Sequence, residues 1–127
     1  LGAILQLVKD VMHTGKNIPL LPENAPFSQV IVEMSQKRLG CVGFVDSLGR
    51  LTGVFTDGDL RRKMSPDLFS KTAVELMTHA PKQIAPDVMA AEALRLMNEK
   101  KITTLFVVEN NKPVGIVHIH DLLRLGL

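Results

Sequence analysis

Apolar positions along this chain switch between helical and extended spacing, and the switches occur twice in the same order. Ile4, Leu5, Val8, Val11 and Met12 are spaced as on a helix, which predicts a lead-in helix over Leu1 to Met12, ending near His13-Thr14-Gly15. Ile18 to Leu21 reads as a short extended piece stopped by Pro22. Phe27, Val30, Ile31 and Met34 then fall on one helical face. Gln36-Lys37-Arg38 suits the C-terminal end of that helix dipole, and Gly40 is the expected stop. Cys41 to Val45 is a short apolar strand, Asp46-Ser47-Leu48-Gly49 a hairpin turn, and Arg50 to Phe55 the returning strand. Thr56 is placed to cap a helix from Asp57 to Met64.

The second pass repeats the first. Thr72 to Met77 reads as a short helix, and Pro81 and Pro86 bracket an extended piece. Ala90, Ala93, Leu94 and Met97 form the next apolar stripe, and Thr104 to Val108 the next buried strand. Asn110-Asn111-Lys112 turns the hairpin, Pro113 to Val117 returns, and Asp121 to Leu125 is the expected last helix. The unit is β-α-β-β-α, twice. A period of about sixty residues is longer than a solenoid repeat. The predicted fold is therefore α/β in the α+β sense: two copies packed with approximate two-fold symmetry, with ligand clefts between them. The expected boundaries are a lead-in over 1–10, a first copy over 11–65, a linker over 66–75 and a second copy over 76–127.

Composition narrows the function. The 127 residues are 46% hydrophobic, so a real core is expected rather than disorder. Aromatics are only 4%, with no Trp or Tyr, so platforms for stacking nucleic-acid bases are nearly absent. Net charge is +2 with both signs interspersed, too little to argue for nucleic acid. Cys41, alone in an apolar run, is expected to be a small buried hydrophobe and excludes an intrachain disulfide. No apolar run approaches the ~18 residues of a membrane span and no signal peptide is evident, so a cytoplasmic protein without membrane contact is expected. The chain opens at Leu1-Gly2 without a methionine and is expected to be part of a longer protein.

The densest polar constellation is Thr56-Asp57-Gly58-Asp59 followed by Arg61-Arg62, where a strand gives way to a helix. Unpaired amides there face a bound anion, Thr56 offers a hydroxyl to phosphate, and Asp59 can accept from two ribose hydroxyls. Arg61 and Arg62 can pair with phosphate or carboxylate. Capping explains each of these residues singly, but not the recurrence of an aspartate at the matching place, Asp121. EF-hand calcium spacing is absent around Asp57. In the second copy the site reads His118-Ile119-His120-Asp121. Alternate residues on a strand share a face, so His118 and His120 admit a metal-binding alternative to which His13 and His79 can add; hydrogen bonding to a ligand explains them as well. Walker, dinucleotide, nucleophile-elbow and HExxH motifs are all missing, and no catalytic residue is assigned.

With the repeat and these two junctions, the chain resembles a tandem cystathionine β-synthase (CBS) domain pair, the Bateman module, from about Val8 to Leu125. In that family a Gly-apolar-x-Thr/Ser-x-x-Asp motif binds nucleotides. Thr56 and Asp59 match it; in the second copy Asp121 matches and His118 stands where the family has Thr or Ser. More finely, Asp10-Val11-Met12-His13-Thr14-Gly15, Phe55-Thr56-Asp57-Gly58-Asp59-Leu60-Arg61-Arg62 and His118-Ile119-His120-Asp121-Leu122-Leu123-Arg124 are similar to the C-terminal region of D-arabinose 5-phosphate isomerases of the KpsF/GutQ type. The resemblance implies a bacterial regulatory module that needs no cofactor and is not itself catalytic. It implies a missing N-terminal sugar isomerase (SIS) domain serving synthesis of Kdo, a sugar acid of lipopolysaccharide or capsule. AMP, ATP or the end product CMP-Kdo is the candidate effector. Thr14, Ile18 and His79 join Thr56, Asp57, Asp59, Arg61, Arg62, His118, His120 and Asp121 in the expected ligand-binding set. Association of copies through the helices, without a ligand, is the alternative role.

Overall fold

In the computed structural model, which describes residues 5–127, the apolar runs close into two separate sheets. In chain order the elements are α1 (Val8–Val11), β1 (Leu20–Pro22), α2 (Phe27–Lys37), β2 (Cys41–Val45), β3 (Leu51–Thr56), α3 (Asp57–Lys63), α4 (Ala73–Leu76), β4 (Thr78–His79), β5 (Gln83–Ile84), α5 (Ala90–Lys100), β6 (Thr104–Glu109), β7 (Lys112–His118) and α6 (Ile119–Leu123). Short 3-10 turns occupy Gly15–Asn17 and Pro66–Ser70. The mixed α/β class is as the periodicity predicts.

The elements group into two compact units. One is Pro19–Pro81; the other joins the described residues up to Ile18 to Lys82–Leu127. The segment from Val11 to Ile18, expected at the opening of the first copy, groups with Lys82–Leu127.

In the Pro19–Pro81 unit the sheet order is β1-β2-β3-β4, with β1 parallel to β2 and the other pairs antiparallel. Phe27, Val30 and Met34 of α2 pack with Val42, Phe44, Phe55, Leu68, Leu76 and Met77 into its core. Phe27 meets Phe55 edge-on at 5.7 Å. Each such buried side chain contributes about 1.5–3 kcal/mol of transfer free energy. In the other unit the order is β5-β6-β7, and Val8, Ala93, Met97, Leu105, Val107, Val117 and Leu122 form the core. A single antiparallel bridge from His13 to Ile116 lies where β4 lies on β3 in its counterpart.

A shared close approach fixes both units. A Cβ added to Gly53 on β3 would stand 2.6 Å from Met77 Cγ, and one added to Gly115 on β7 would stand 2.9 Å from Met12 Cγ. Each glycine therefore makes room for the methionine just after the short helix α4 or α1. Capping aspartate or glutamate side chains start those helices: Asp10 accepts from the Leu7 amide at 2.9 Å and Glu75 from the Thr72 amide at 3.2 Å.

Several boundaries differ from the sequence expectation. Among the described residues the lead-in helix is the single turn α1, because Leu7 pairs as a β-bridge with Met89; its expected start over residues 1–4, Ile4 included, lies outside the described residues. α2 ends at Arg38 rather than Gly40: Arg38 takes the left-handed conformation at φ 61° and donates its amide to Met34 O. Lys101 does the same after α5 at φ 58°. The expected linker over 66–75 holds the 3-10 turn Pro66–Ser70 and the start of α4, and β4, too short to show a period, was not expected. The last helix starts at Ile119, two residues before Asp121, because His118 is its cap.

Candidate functional site

Thr56 ends β3 in extended conformation and starts α3, which places its side chain and that of Asp59 on the same turn. Thr56 Oγ1 accepts from the Asp59 amide at 3.1 Å, and Asp59 Oδ2 accepts from the Thr56 amide at 3.0 Å. This reciprocal capping box satisfies two otherwise orphaned donors. Arg62, one turn on, donates through Nη2 to Asp59 Oδ1 at 2.7 Å. Asp59 is buried, 7% exposed. Burial pushes its carboxyl up, but the Thr56 amide, Arg62 and the Thr56 side chain outweigh it and hold the group below its ordinary value, so it is ionised at neutral pH.

A carboxylate offers about four acceptor sites. Asp59 uses one for the Thr56 amide and one for Arg62, which leaves two for a pair of neighbouring hydroxyls. Thr56 Oγ1 accepts one bond and keeps its proton for an incoming acceptor such as a phosphate oxygen.

The matching junction in the other unit is built on the same plan with different chemistry. His118 caps α6: its Nδ1 accepts from the His120 amide at 3.1 Å, and Asp121 Oδ2 accepts from the His118 amide at 2.9 Å. An amide donating to Nδ1 leaves the ring proton on Nε2. Burial, then the neighbouring His120, push the His118 imidazole below its ordinary value, with Asp121 opposing, and so favour this neutral form. His118 and His120 rings lie 4.6 Å apart. His13 Nε2 donates to Asp121 Oδ2 at 3.0 Å, and Arg124 Nη1 donates to Oδ1 at 3.2 Å. Asp121 thus spends three of its acceptor sites inside the unit where Asp59 spends two. The two junctions are therefore unequal: Asp121 lacks the spare capacity to take both hydroxyls of a diol.

The structure gathers Thr56, Asp59 and Arg62, and separately His118, His120 and Asp121. Asp57 instead lies over Gly40, where an added Cβ would come within 3.1 Å of its Oδ2. It lines an open hollow of about 350 Å³ with Met34, Arg38, Gly40 and Leu60. The Arg61 side chain is exposed. His79 pairs with Gly53 on the sheet edge, its side chain exposed. Thr14 is exposed beside the Gly15–Asn17 turn, and Ile18 is buried. Sequence reasoning set His13 aside as an accessory metal ligand and missed its bond to Asp121, which the antiparallel bridge of His13 to Ile116 on β7 brings about and no local sequence pattern signals. Among the described residues, no three His, Cys, Asp or Glu side chains come together as a metal-holding group.

The CBS domain family matches residues 8–66 and again residues 73–127. The chain belongs to this family. As a CBS pair it is 43% identical, over its full length, to the uncharacterized protein RP505 of Rickettsia prowazekii, covering 40% of that protein. It is 37% identical to the arabinose 5-phosphate isomerase KdsD of Yersinia pestis, over 98% of this chain and 38% of that enzyme. The chain therefore spans about 40% of the curated relatives it matches. Its fold is that of CBSX2 of Arabidopsis thaliana, solved in complex with AMP, at a TM-score of 0.82, 24% identity, and coverage of 94% and 95% of the two chains. No helix among the described residues is long and apolar enough to cross a membrane.

Proposed function

We propose that this CBS pair is the regulatory region of an arabinose 5-phosphate isomerase, and that it senses a nucleotide at the β3–α3 junction. The observation that carries the reading is the spare capacity of that junction. Asp59 keeps two acceptor sites for a ribose diol, and Thr56 keeps a hydroxyl proton for a phosphate. The similarity to KdsD supports the parent enzyme, and the AMP complex of CBSX2 supports an adenine nucleotide. In the parent protein an N-terminal SIS domain performs the isomerisation. The nucleotide changes its activity only through a difference in affinity between two states of the enzyme. AMP, ATP and CMP-Kdo share the chemistry the junction reads, a ribose bearing a 5′-phosphate. CMP-Kdo adds a carboxylate, for which the exposed Arg61 is a partner.

Titration calorimetry of the chain with AMP, ATP and CMP-Kdo tests this. Heat from at least one of them, lost in Thr56→Ala, is the expected result; no heat from any, with the protein folded by circular dichroism, removes the sensing role. A second reading, an assembly element without a ligand, has its own support. Val32 on α2 and Leu123 on α6 are large apolar side chains left 54% and 49% exposed. It predicts a stable dimer mass in solution, independent of nucleotide.

A further inference from the structure

We propose that Arg62 is a displaceable latch on Asp59, and that it makes this junction select phosphorylated ribose over the bare nucleoside. The inference rests on the nucleotide reading above and adds a selectivity to it.

The pair is asymmetric in a way that matters. The Asp59 side chain is 10% exposed and that of Arg62 is 69% exposed, so the guanidinium lies on the solvent side of a nearly buried carboxylate. A ligand that brings hydroxyls from solvent to the two spare acceptor sites of Asp59 crowds the guanidinium and pushes it aside. The guanidinium also has a seat. A Cβ added to Gly58 would stand 3.0 Å from Arg62 Nη1 and 3.5 Å from Nη2, so the guanidinium lies close against the bare Gly58 backbone on the first turn of α3. The other junction is the internal comparison. There His120 takes the place of Gly58, and Arg124 reaches Asp121 at 3.2 Å rather than the 2.7 Å of Arg62 and Asp59.

Moving Arg62 strips it of its carboxylate. A ligand that brings its own phosphate returns an anionic partner to the freed guanidinium, which matches a phosphate through two parallel N–H donors. A nucleoside without phosphate returns nothing. The latch therefore handicaps adenosine and not AMP.

Calorimetry with adenosine and AMP on the wild-type chain, Arg62→Gln and Gly58→Ala reads this directly. An exposed ion pair is a weak latch, so its removal in Arg62→Gln should tighten adenosine about threefold. The same substitution should weaken AMP about tenfold, the loss of one charge-assisted contact. Gly58→Ala shifts the guanidinium slightly and keeps its charge; adenosine should tighten less than in Arg62→Gln, and AMP should not weaken. A simple loss of fold would move both ligands the same way, and equal shifts for adenosine and AMP in Arg62→Gln overturn the selectivity. The latch is also read without ligand, from the Asp59 carboxyl titration by carbon NMR. It should move up in Arg62→Gln, and an unchanged titration means there is no latch. If neither AMP nor adenosine binds any of the three proteins, the nucleotide reading falls and the selectivity with it, while the carboxyl titration still decides the latch.

Discussion

Substituting Gly53 by alanine tests the packing that sets β3, and with it Thr56, in place. The added Cβ would stand 2.6 Å from Met77 Cγ and 3.0 Å from its Cε, against the 3.5–4.0 Å or so at which carbon atoms pack. Roughly 1 Å of relief is needed inside a core where Met77 is 6% exposed and Phe55 1% exposed. Overpacking of this kind costs about 1–3 kcal/mol. With a urea dependence of about 2 kcal/mol per molar, the unfolding midpoint should fall by about 1 M. Met77→Ala alone opens a cavity and costs about 2–5 kcal/mol. In the double variant the new methyl occupies part of the space Met77 left, so the two costs should fall short of additive by at least about 1 kcal/mol. The equivalent cycle of Gly115→Ala with Met12→Ala should show a smaller shortfall. There the added Cβ also meets the backbone carbonyl of His13 at 3.0 Å, which no side-chain truncation removes. Strict additivity in the Gly53 cycle, measured by urea unfolding, would refute the claim that this glycine exists to admit Met77.

Other consequences follow from the same geometry. The His118 imidazole is held below its ordinary value of 6.5, so the unfolded chain binds the proton more readily. The stability it contributes is complete above pH 6.5 and is lost as pH falls through the lower folded value; replacing His118 by Thr, which caps without titrating, should flatten that part of a stability–pH curve. Arg38 and Lys101 hold left-handed backbone at φ 61° and 58°, so Arg38→Gly and Lys101→Gly should each raise stability by about 1 kcal/mol in urea unfolding.

The repeat, both hairpins and both long helices were legible because each element is long enough to display its period. Cys41–Val45 matches its expected bounds to the residue, and the αL pair Asn110 and Asn111, at φ 54° and 66°, fills its expected turn. The short helix over Thr72 to Met77 was legible as well, but two other short pieces were not. α1 is one turn and β4 is two residues, and both are fixed by tertiary pairing rather than by pattern. The helix stop failed at Arg38 because the carbonyl of Met34, not the nearest glycine, decides where the chain turns. At the site, the Thr56 cap with Asp59 in the first turn was readable from the sequence; the His118 cap was not, because histidine is not a usual capping residue and the last helix was expected to start at Asp121. The bond from His13 to Asp121 was not, because it joins residues 108 positions apart. That bond is what makes the two junctions unequal.

The central claim is that a nucleotide binds through Asp59 and not through Asp121. Its most direct test is calorimetric titration of AMP into the wild-type chain, Asp59→Asn and Asp121→Asn at neutral pH. Two hydrogen bonds to a charged acceptor are at stake at Asp59, so Asp59→Asn should weaken AMP by at least about thirtyfold. Asp121→Asn should leave AMP within about threefold of wild type, since His13 and Arg124 already occupy that carboxylate. Unaltered AMP binding in Asp59→Asn, or its loss in Asp121→Asn alone, would contradict the account.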